Sequence, residues 1–337
     1  MLYEDAATLT VGSVTIYPYG LTLALGAGAA IALFAALCRA RRLAPGTAAI
    51  VGALAPFLGL VLARAVYCLV TIEFFASVQN FLAMLRLSDG GLSMFGALGG
   101  ATLAGALAAR WTRQDKGAVL DALSPALMLF VCVARLGEGF VQLGFSRTLV
   151  ESEFLRGTFL ALEREYDFVL KTYLLEAIAA AALCAVLCGQ LLGARKRRPG
   201  DAYLRGMLYF GCTQIFLESL RYDMHMAWGF VCAQQLFAML TACAAILVFA
   251  RRAQRLSGRK GTFALTLLAL VALAGAIVGL EFVIDRSGIS RYIDYAVFAA
   301  LMAGMLYLGE RLYQRSDALW NQQKSRASTN WHARKKA

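Results

Sequence analysis

The sequence predicts an all-α integral membrane protein, a polytopic bundle of about nine transmembrane helices with its N-terminus outside and its C-terminus in the cytoplasm. The first observation is composition: 60% of the 337 residues are hydrophobic and only 16% are charged, which is too apolar for a water-soluble domain. The second is length, because the apolar runs reach about 20 residues, enough to cross about 30 Å of hydrocarbon.

Nine apolar runs are predicted to span the membrane. They are 17–37, 48–70, 92–109, 118–134, 172–192, 203–220, 227–250, 262–284 and 292–308. A third observation orients them, because Lys and Arg accumulate in cytoplasmic loops. Basic clusters follow the odd-numbered runs, at 39–42, 110–116, 195–198, 251–260 and 311–336. This parity places the N-terminus outside and the C-terminus inside.

Charge and composition exclude several other classes. The net charge of +12 follows from this topology and from attraction to anionic lipid, so no nucleic-acid partner is expected. The eight cysteines form no CxxC pair, and two histidines are too few for a histidine metal site, so we expect neither cofactor nor metal. The first 16 residues contain no basic residue, so the first run lacks a cleavable-signal n-region and should be retained.

Ionisable side chains inside apolar runs are functional candidates, because each costs about 2.5–3.5 kcal/mol to insert. Those assigned to the outer leaflet are Arg64, Arg135, Glu138, Glu218 and Arg221. Gln214, Glu218 and Arg221 stand at i, i+4 and i+7, which predicts one polar stripe on a helix. Three guanidiniums at this depth can bind a phosphate, such as a phospholipid headgroup. The alternative is that Arg135 and Arg221 only anchor helix ends at the interface.

Glycines concentrate around the start of the third run. They are Gly90, Gly91, Gly96, Gly99 and Gly100. Residues without a side chain allow close approach either of a ligand or of a neighbouring helix. Both interpretations remain open at this point.

Short motifs spread along the chain resemble those of a known family. They are YGL at 19–21, ARAVY at 63–67, DGGLS at 89–93 with GALG at 96–99, Asp121 and Pro125 before RLGEGF at 135–140, Glu176, FLESLR at 216–221, and Gln234. Each is similar to an element of the bacterial prolipoprotein diacylglyceryl transferases. The elements occur in the family's order between about residues 17 and 252.

The resemblance implies transfer of a diacylglyceryl group from phosphatidylglycerol to the lipobox cysteine thiol of a preprolipoprotein, at the outer face of the bacterial cytoplasmic membrane. Phosphatidylglycerol, the preprolipoprotein signal segment and membrane lipid are the implied partners. The implied catalytic residues are Arg135, Glu138, Glu218 and Arg221. The implied substrate-binding residues are Tyr19, Arg64, Gly91, Ser93, Gly96, Gly99, Gly137, Gln214 and Gln234.

Three positions depart from the family's pattern. The family's histidine falls on Phe95, its asparagine on Glu138 and an arginine on Gln214, while His225 is a possible substitute imidazole. Two other hypotheses therefore stay open. One is a non-catalytic paralogue that binds anionic lipid or lipoprotein signal segments, and the other is an anionic-lipid transporter that uses the same arginines.

The predicted organisation has three parts. Residues 1–255 form a seven-helix transferase-like membrane domain, with a nearly neutral, partly helical outer head segment around 137–172. Residues 256–312 add two transmembrane helices, in which Gly275 and Gly279 form a GxxxG motif suited to close helix packing. Residues 313–337 form a basic cytoplasmic tail.

Overall fold

A computed structural model describes residues 8–11, 14–75, 82–87, 90–141, 143–164, 167–193, 197–223, 226–228, 231–258, 261–286 and 291–336. Within these residues, nine helices contain 18 or more residues. They are α1 (Pro18–Ala40), α2 (Pro45–Val70), α3 (Met94–Trp111), α4 (Lys116–Gly137), α5 (Thr172–Leu192), α6 (Asp201–Leu220), α7 (Ala233–Ser257), α8 (Thr262–Arg286) and α9 (Arg291–Lys336). Predicted His225 lies outside the described residues.

Membrane-spanning helices dominate the structure. Among the described residues, seven helices are long and apolar enough to cross a membrane, namely all of those above except α3 and α6. Helix α6 is less apolar because it contains Asp201, Arg205 and Glu218. The chain is therefore an all-α, multi-pass membrane protein, as the sequence predicts.

Local sequence signals define where the helices begin. Pro18 and Pro45 open α1 and α2, where the fixed φ of proline suits the first helical position and its missing N–H costs nothing. Ser93 and Asp115 cap α3 and α4: the Ser93 hydroxyl accepts a hydrogen bond from Gly96 N at 3.3 Å, and Asp115 Oδ1 accepts one from Ala118 N at 2.9 Å. These side chains satisfy backbone donors that have no partner within the helix.

Helices α2 and α3 contact each other backbone to backbone through glycine. A Cβ on Gly96 would lie 2.4 Å from Leu62 O, and one on Gly100 would lie 2.3 Å from Leu58 O. Gly96 is therefore required for helix packing, and the substrate binding that the family resemblance implies for it stays a prediction. Gly99 lies on another side of α3, where a Cβ would meet nothing within 4 Å.

Short strands and helical turns connect the long helices. The strands are β1 (Leu9–Val11), β2 (Val14–Ile16), β3 (Phe145–Leu149), β4 (Ala161–Arg164), β5 (Asp167–Lys171), β6 (Ala227–Trp228) and β7 (Val231–Cys232). Strands β1–β2 and β6–β7 form antiparallel hairpins, and the sheet of β3, β5 and β4, in that order, is also antiparallel. The short helices are Ile72–Phe75 and Glu153–Arg156, with 3₁₀ turns at Leu82–Leu85 and Glu138–Val141.

The head segment contains strands in addition to the predicted helical part. It contains the sheet of β3, β5 and β4, here called the head sheet, and among the described residues between α4 and α5 the α-helical ones are Glu153–Arg156. Its central strand contains Phe168 and Val169, whose aromatic and β-branched side chains favour strands. The seventh predicted span was also wrong at its start: residues 227–228 and 231–232 pair as strands, so helix α7 begins at Ala233.

The chain divides into two compact units. The first contains Met1–Gly206 and Leu217–Phe237, and the second contains Met207–Phe216 and Ala238–Ala337. Within the second unit, the Tyr209 hydroxyl donates to Glu310 Oε1 at 2.8 Å. A Cβ on either Gly275 or Gly279 would meet nothing within 4 Å, so the predicted GxxxG contact is not formed within the described chain. Residues of the predicted tail continue α9 as far as Lys336.

Candidate functional site

Four of the five ionisable residues predicted in the outer leaflet, those at the ends of α4 and α6, meet in one buried site. Arg135 lies in the last turn of α4 and Glu138 caps that helix. Glu218 lies in the last turn of α6 and Arg221 caps it. The fifth member, Glu176, comes from the beginning of α5. These five side chains are 7% exposed or less; together they are called the ionic cluster below.

Arg135 contacts all three carboxylates of the ionic cluster. Its Nη1 donates to Glu138 Oε1 at 2.5 Å, and its Nε forms an ion pair with Glu176 Oε2. Its Nη2 lies 3.7 Å from Glu218 Oε1, beyond hydrogen-bonding distance. Within the described residues, neither Arg135 Nη2 nor Glu218 Oε1 has a hydrogen-bond partner. Arg135 Nη2 and Glu218 Oε1 are therefore a neighbouring donor and acceptor that form no hydrogen bond in the described part of the chain.

Arg221 also forms ion pairs with all three carboxylates of the ionic cluster. Its Nη1 lies 2.9 Å from Glu138 Oε2 and 3.2 Å from Glu176 Oε2, and its Nε lies 3.6 Å from Glu218 Oε2. The Asp223 carboxylate accepts two hydrogen bonds from the same guanidinium, from Nη2 at 2.6 Å and from Nε at 3.0 Å. The sequence analysis did not identify Asp223, although it stands only two residues after a predicted catalytic arginine.

The predicted stripe of i, i+4 and i+7 residues on α6 is wrong at its last member. Helix α6 ends at Leu220, and Arg221 has extended backbone angles of φ −77° and ψ 146°. The chain leaves the helix here because it joins the head sheet: Ser146 forms a β-bridge with Arg221, and Tyr222 N donates to Phe145 O at 2.9 Å. Arg221 thus reaches Glu218 at i, i+3 spacing and from non-helical backbone.

Gly144 fixes the head sheet to the ionic cluster. Its carbonyl accepts from Thr172 Oγ1 at 2.6 Å and from Tyr173 N at 3.0 Å, and its N–H donates to Asp223 Oδ2 at 3.3 Å. Its φ is +75°, and an added Cβ would lie 2.9 Å from Glu138 Oε2. Glycine is required at this position both by the left-handed backbone and by the nearby carboxylate.

The charge of the ionic cluster is negative when every group is ionised. Two guanidiniums face three buried carboxylates, which leaves one negative charge in excess, and Asp223 adds another at the rim, where its side chain is 15% exposed. Buried charge is costly unless it is paired. Uptake of one proton by the buried carboxylates would bring the five-residue cluster to neutrality.

Arg64 serves the fold of its own neighbourhood. Its guanidinium donates to five backbone carbonyls of the segment that precedes α3, those of Ala83, Met84, Arg86, Gly90 and Gly91. It also lies 5.6 Å from the ring centroid of Tyr67. The predicted phosphate site of three arginines therefore differs from the structure, in which carbonyls occupy the donors of Arg64 and carboxylates surround Arg135 and Arg221.

Two predicted residues from α1 and α4 lie together beside the ionic cluster. A Cβ on Gly137 would lie 3.1 Å from the Tyr19 ring and 2.1 Å from Thr22 Oγ1. Gly137 therefore allows α1 to approach the end of α4 that holds Arg135. Tyr19 therefore lies beside the end of α4 that holds Arg135, and its role in substrate binding stays a prediction.

Among the other residues predicted to bind substrate, Gly91 and Ser93 have structural roles, and the two glutamines are buried. Gly91 has a φ of +71° and lies under the Tyr67 ring, and Ser93 caps α3. Gln234 is buried and its Oε1 has no hydrogen-bond partner among the described residues. Gln214 is also buried with an unpaired Nε2, but it belongs to the second unit.

Phe95 replaces the family's histidine with an aromatic contact. Its ring centroid lies 6.1 Å from that of Phe237. Both residues belong to the first unit. A phenyl ring has no group that accepts or donates a proton, so acid–base chemistry must come from other side chains.

Comparison with known proteins identifies the family of this chain. A family model described as prolipoprotein diacylglyceryl transferase matches residues 6–251. The chain belongs to the prolipoprotein diacylglyceryl transferase family. This match confirms the resemblance inferred from the motifs. The matched region ends within α7, so α8 and α9 lie outside it.

Several bacterial members of the transferase family are similar over most of the chain. A phosphatidylglycerol–prolipoprotein diacylglyceryl transferase of Bacillus cytotoxicus is 24% identical over 261 residues, covering 74% of this chain and 92% of the relative. The enzyme of the same name from Listeria innocua is 24% identical over 256 residues, covering 74% and 90%. That from Bacillus cereus is 25% identical over 263 residues, covering 74% and 92%.

Proposed function

We propose that this protein transfers a diacylglyceryl group from phosphatidylglycerol to prolipoproteins. Its membership of the transferase family and its similarity to enzymes of that name over 74% of its length support this function. The acceptor is the thiol of the lipobox cysteine. The observation that carries the chemical assignment is the buried ionic cluster, in which Arg135 Nη2 and Glu218 Oε1 have no hydrogen bond within the described chain and lie 3.7 Å apart.

The proposed setting is the bacterial cytoplasmic membrane, with nine spans, the N-terminus outside and the C-terminus in the cytoplasm. The parity of the basic clusters supports this orientation. Helices α3 and α6, with 18 and 20 residues, are long enough to complete the count of nine. The ionic cluster then lies near the outer face, where the signal segment of a translocated lipoprotein reaches it.

The reaction exchanges one bond at a glyceryl carbon. The lipobox S–H gives its proton to a carboxylate, and the thiolate attacks the glyceryl carbon that is bonded to the phosphate oxygen of phosphatidylglycerol. The S–C bond forms as the C–O bond breaks, and glycerol phosphate leaves with the electron pair of that bond. The site must therefore accept a proton and stabilise the charge that develops on the phosphate.

Glu218 is the proposed proton acceptor. Its ion pairs with Arg135 and Arg221 are 3.7 and 3.6 Å long, whereas Glu138 and Glu176 each have ion pairs of 3.2 Å or shorter. Glu218 is therefore the carboxylate least held by the guanidiniums. Protonating it removes the excess charge of the cluster at the smallest loss of ion pairing.

Arg135 is the proposed phosphate contact. Its Nε and Nη1 form short ion pairs with Glu176 and Glu138, whereas its Nη2 has no hydrogen bond to any described residue and lies 3.7 Å from Glu218 Oε1. When Glu218 takes the thiol proton, the charge of Arg135 becomes less compensated while negative charge grows on the leaving phosphate. Glu138, Glu176 and Arg221 position these two groups, and Tyr19 and Gln234 are proposed to line the lipid site.

The test is a transfer assay on purified protein with labelled phosphatidylglycerol and a lipobox peptide. We expect Glu218→Gln to lower kcat by about 10²- to 10⁴-fold, the usual contribution of a general base, because glutamine keeps the shape and cannot accept the proton. Asp223→Asn is the matched control, since it also removes one carboxylate beside Arg221 and should lower kcat by less than about ten-fold. Full activity of Glu218→Gln would exclude this assignment, and equal losses in both variants would mean that only the net charge matters.

A further inference from the structure

A second polar site lies at the opposite end of the same helices. A cavity of about 30 Å³ is lined by side chains from the ends of α1 and α5, the first turns of α4 and the segment that leads into α6. The polar residues that line it are Arg41, Asp121, Gln190 and Arg197. From Asp121 to Arg135 on α4, and from Glu176 to Gln190 on α5, the helices rise about 21 Å. The cavity is thus separate from the ionic cluster.

Two of these side chains have buried polar atoms without partners. Among the described residues, Arg197 Nε and Nη1 and Gln190 Oε1 form no hydrogen bond, although each atom is inaccessible to solvent. A buried guanidinium donor that has lost water and gained no acceptor is costly. The cavity beside these atoms is where an acceptor can be supplied.

The charge of the site is positive. Arg41 donates its Nη1 to Leu191 O at 3.2 Å, and Arg197 is uncommitted at two atoms. Asp121 contributes one negative charge, but its oxygens are already used: Oδ1 accepts from Tyr203 N and Oδ2 from Gly200 N, both at 2.8 Å. Among the residues that line the cavity, two guanidiniums face one carboxylate, which leaves one positive charge in excess.

We infer that this cavity binds a phosphate group that also presents a hydroxyl. The phosphate oxygens accept from Arg197 and Arg41, since guanidinium is well matched to phosphate oxygens, and the hydroxyl donates to Gln190 Oε1. The volume of about 30 Å³ is two to three times the roughly 10–15 Å³ that a single water requires. Helix ends in a membrane protein lie at headgroup depth, so an acidic phospholipid headgroup and free phosphate are the two sources of this chemistry.

Binding by the intact protein in detergent tests the inference. Phosphatidic acid, inorganic phosphate and phosphatidylcholine are added separately, and bound lipid is counted by native mass spectrometry while phosphate is followed by thermal stabilisation. We expect Arg197→Gln to weaken phosphatidic acid binding by about ten-fold or more, the effect of losing a charge-assisted contact. Arg198→Gln is the matched control, because it removes the same charge from the neighbouring residue, which does not line the cavity.

The outcomes separate the sources and the rival explanations. Binding of phosphatidic acid alone supports a lipid headgroup, and binding of both phosphate compounds supports a site for which phosphate suffices. Equal losses in Arg197→Gln and Arg198→Gln, or no binding above that of phosphatidylcholine, would overturn the inference. Arg197→Lys checks folding, because it keeps the charge and should retain binding. Unchanged transferase activity in Arg197→Gln distinguishes this site from the ionic cluster.

Discussion

Replacement of Arg135 with methionine removes one of two guanidiniums from a cluster with three buried carboxylates. Methionine has a similar length and no charge, so little cavity is created and the change is mainly electrostatic. The excess negative charge of the five residues rises from one to two, because one guanidinium then faces three carboxylates. Removing one partner of a buried pair costs about 3–5 kcal/mol, which is the expected loss in the free energy of unfolding.

A second substitution makes this prediction specific. Glu176→Gln added to Arg135→Met returns the excess to one negative charge, so the double variant should recover at least half of the lost stability. Arg110→Met is the control for general charge loss, because Arg110 is exposed at the end of α3 and should change stability by less than about 0.5 kcal/mol. Denaturant unfolding in a single detergent measures all four proteins. A double variant no more stable than Arg135→Met would refute the charge argument.

Three further predictions follow from contacts elsewhere in the first unit. Gly96→Val should disrupt the contact between α2 and α3 and lower the melting temperature by several degrees, whereas Gly99→Val, with open space around its Cβ, should fold with a melting temperature close to that of the parent protein. Asp121→Ala should destabilise by about 2–6 kcal/mol, because the buried N–H of Gly200 and the partly buried N–H of Tyr203 lose their acceptor; Asp115→Ala, an exposed cap, should cost about 1 kcal/mol. Arg64→Lys should raise hydrogen exchange in residues 82–91, since three ammonium donors cannot serve five carbonyls.

A different result would contradict each of these three predictions. Equal melting temperatures for the two glycine variants would remove the steric argument for α2 and α3. Equal losses for the two aspartate variants would show that burial of the acceptor does not matter. Exchange in residues 82–91 that stays at the parental rate in Arg64→Lys would mean that the carbonyl contacts do not order that segment.

The sequence predicts the parts of the fold and site that depend on local pattern. Apolar length identifies the spanning helices, and charges at the ends of apolar runs identify Arg135, Glu138, Glu218 and Arg221 as members of one site. The pair of Arg135 and Glu138 follows from i, i+3 spacing alone. The order of the short motifs along the chain also indicates the family, although each motif is weak by itself.

The contacts that the sequence did not predict are non-local. The carbonyl partners of Arg64 come from a segment about 20 residues further along the chain. From the sequence alone, a phosphate and a ring of backbone carbonyls are equally plausible partners for an arginine. Arg221 leaves its helix because β3, more than 70 residues earlier, pairs with it. Glu176 enters the ionic cluster only because α5 packs against α4, which no spacing in the sequence reveals.

The most direct test of the central claim is diacylglyceryl transfer by the purified protein. Labelled phosphatidylglycerol is supplied with a lipobox peptide or with the same peptide carrying serine in place of cysteine, and the products are analysed by mass spectrometry. The account predicts a diacylglyceryl adduct on the cysteine peptide, none on the serine peptide, and release of one glycerol phosphate per adduct. Bound phosphatidylglycerol with no adduct on either peptide would contradict it.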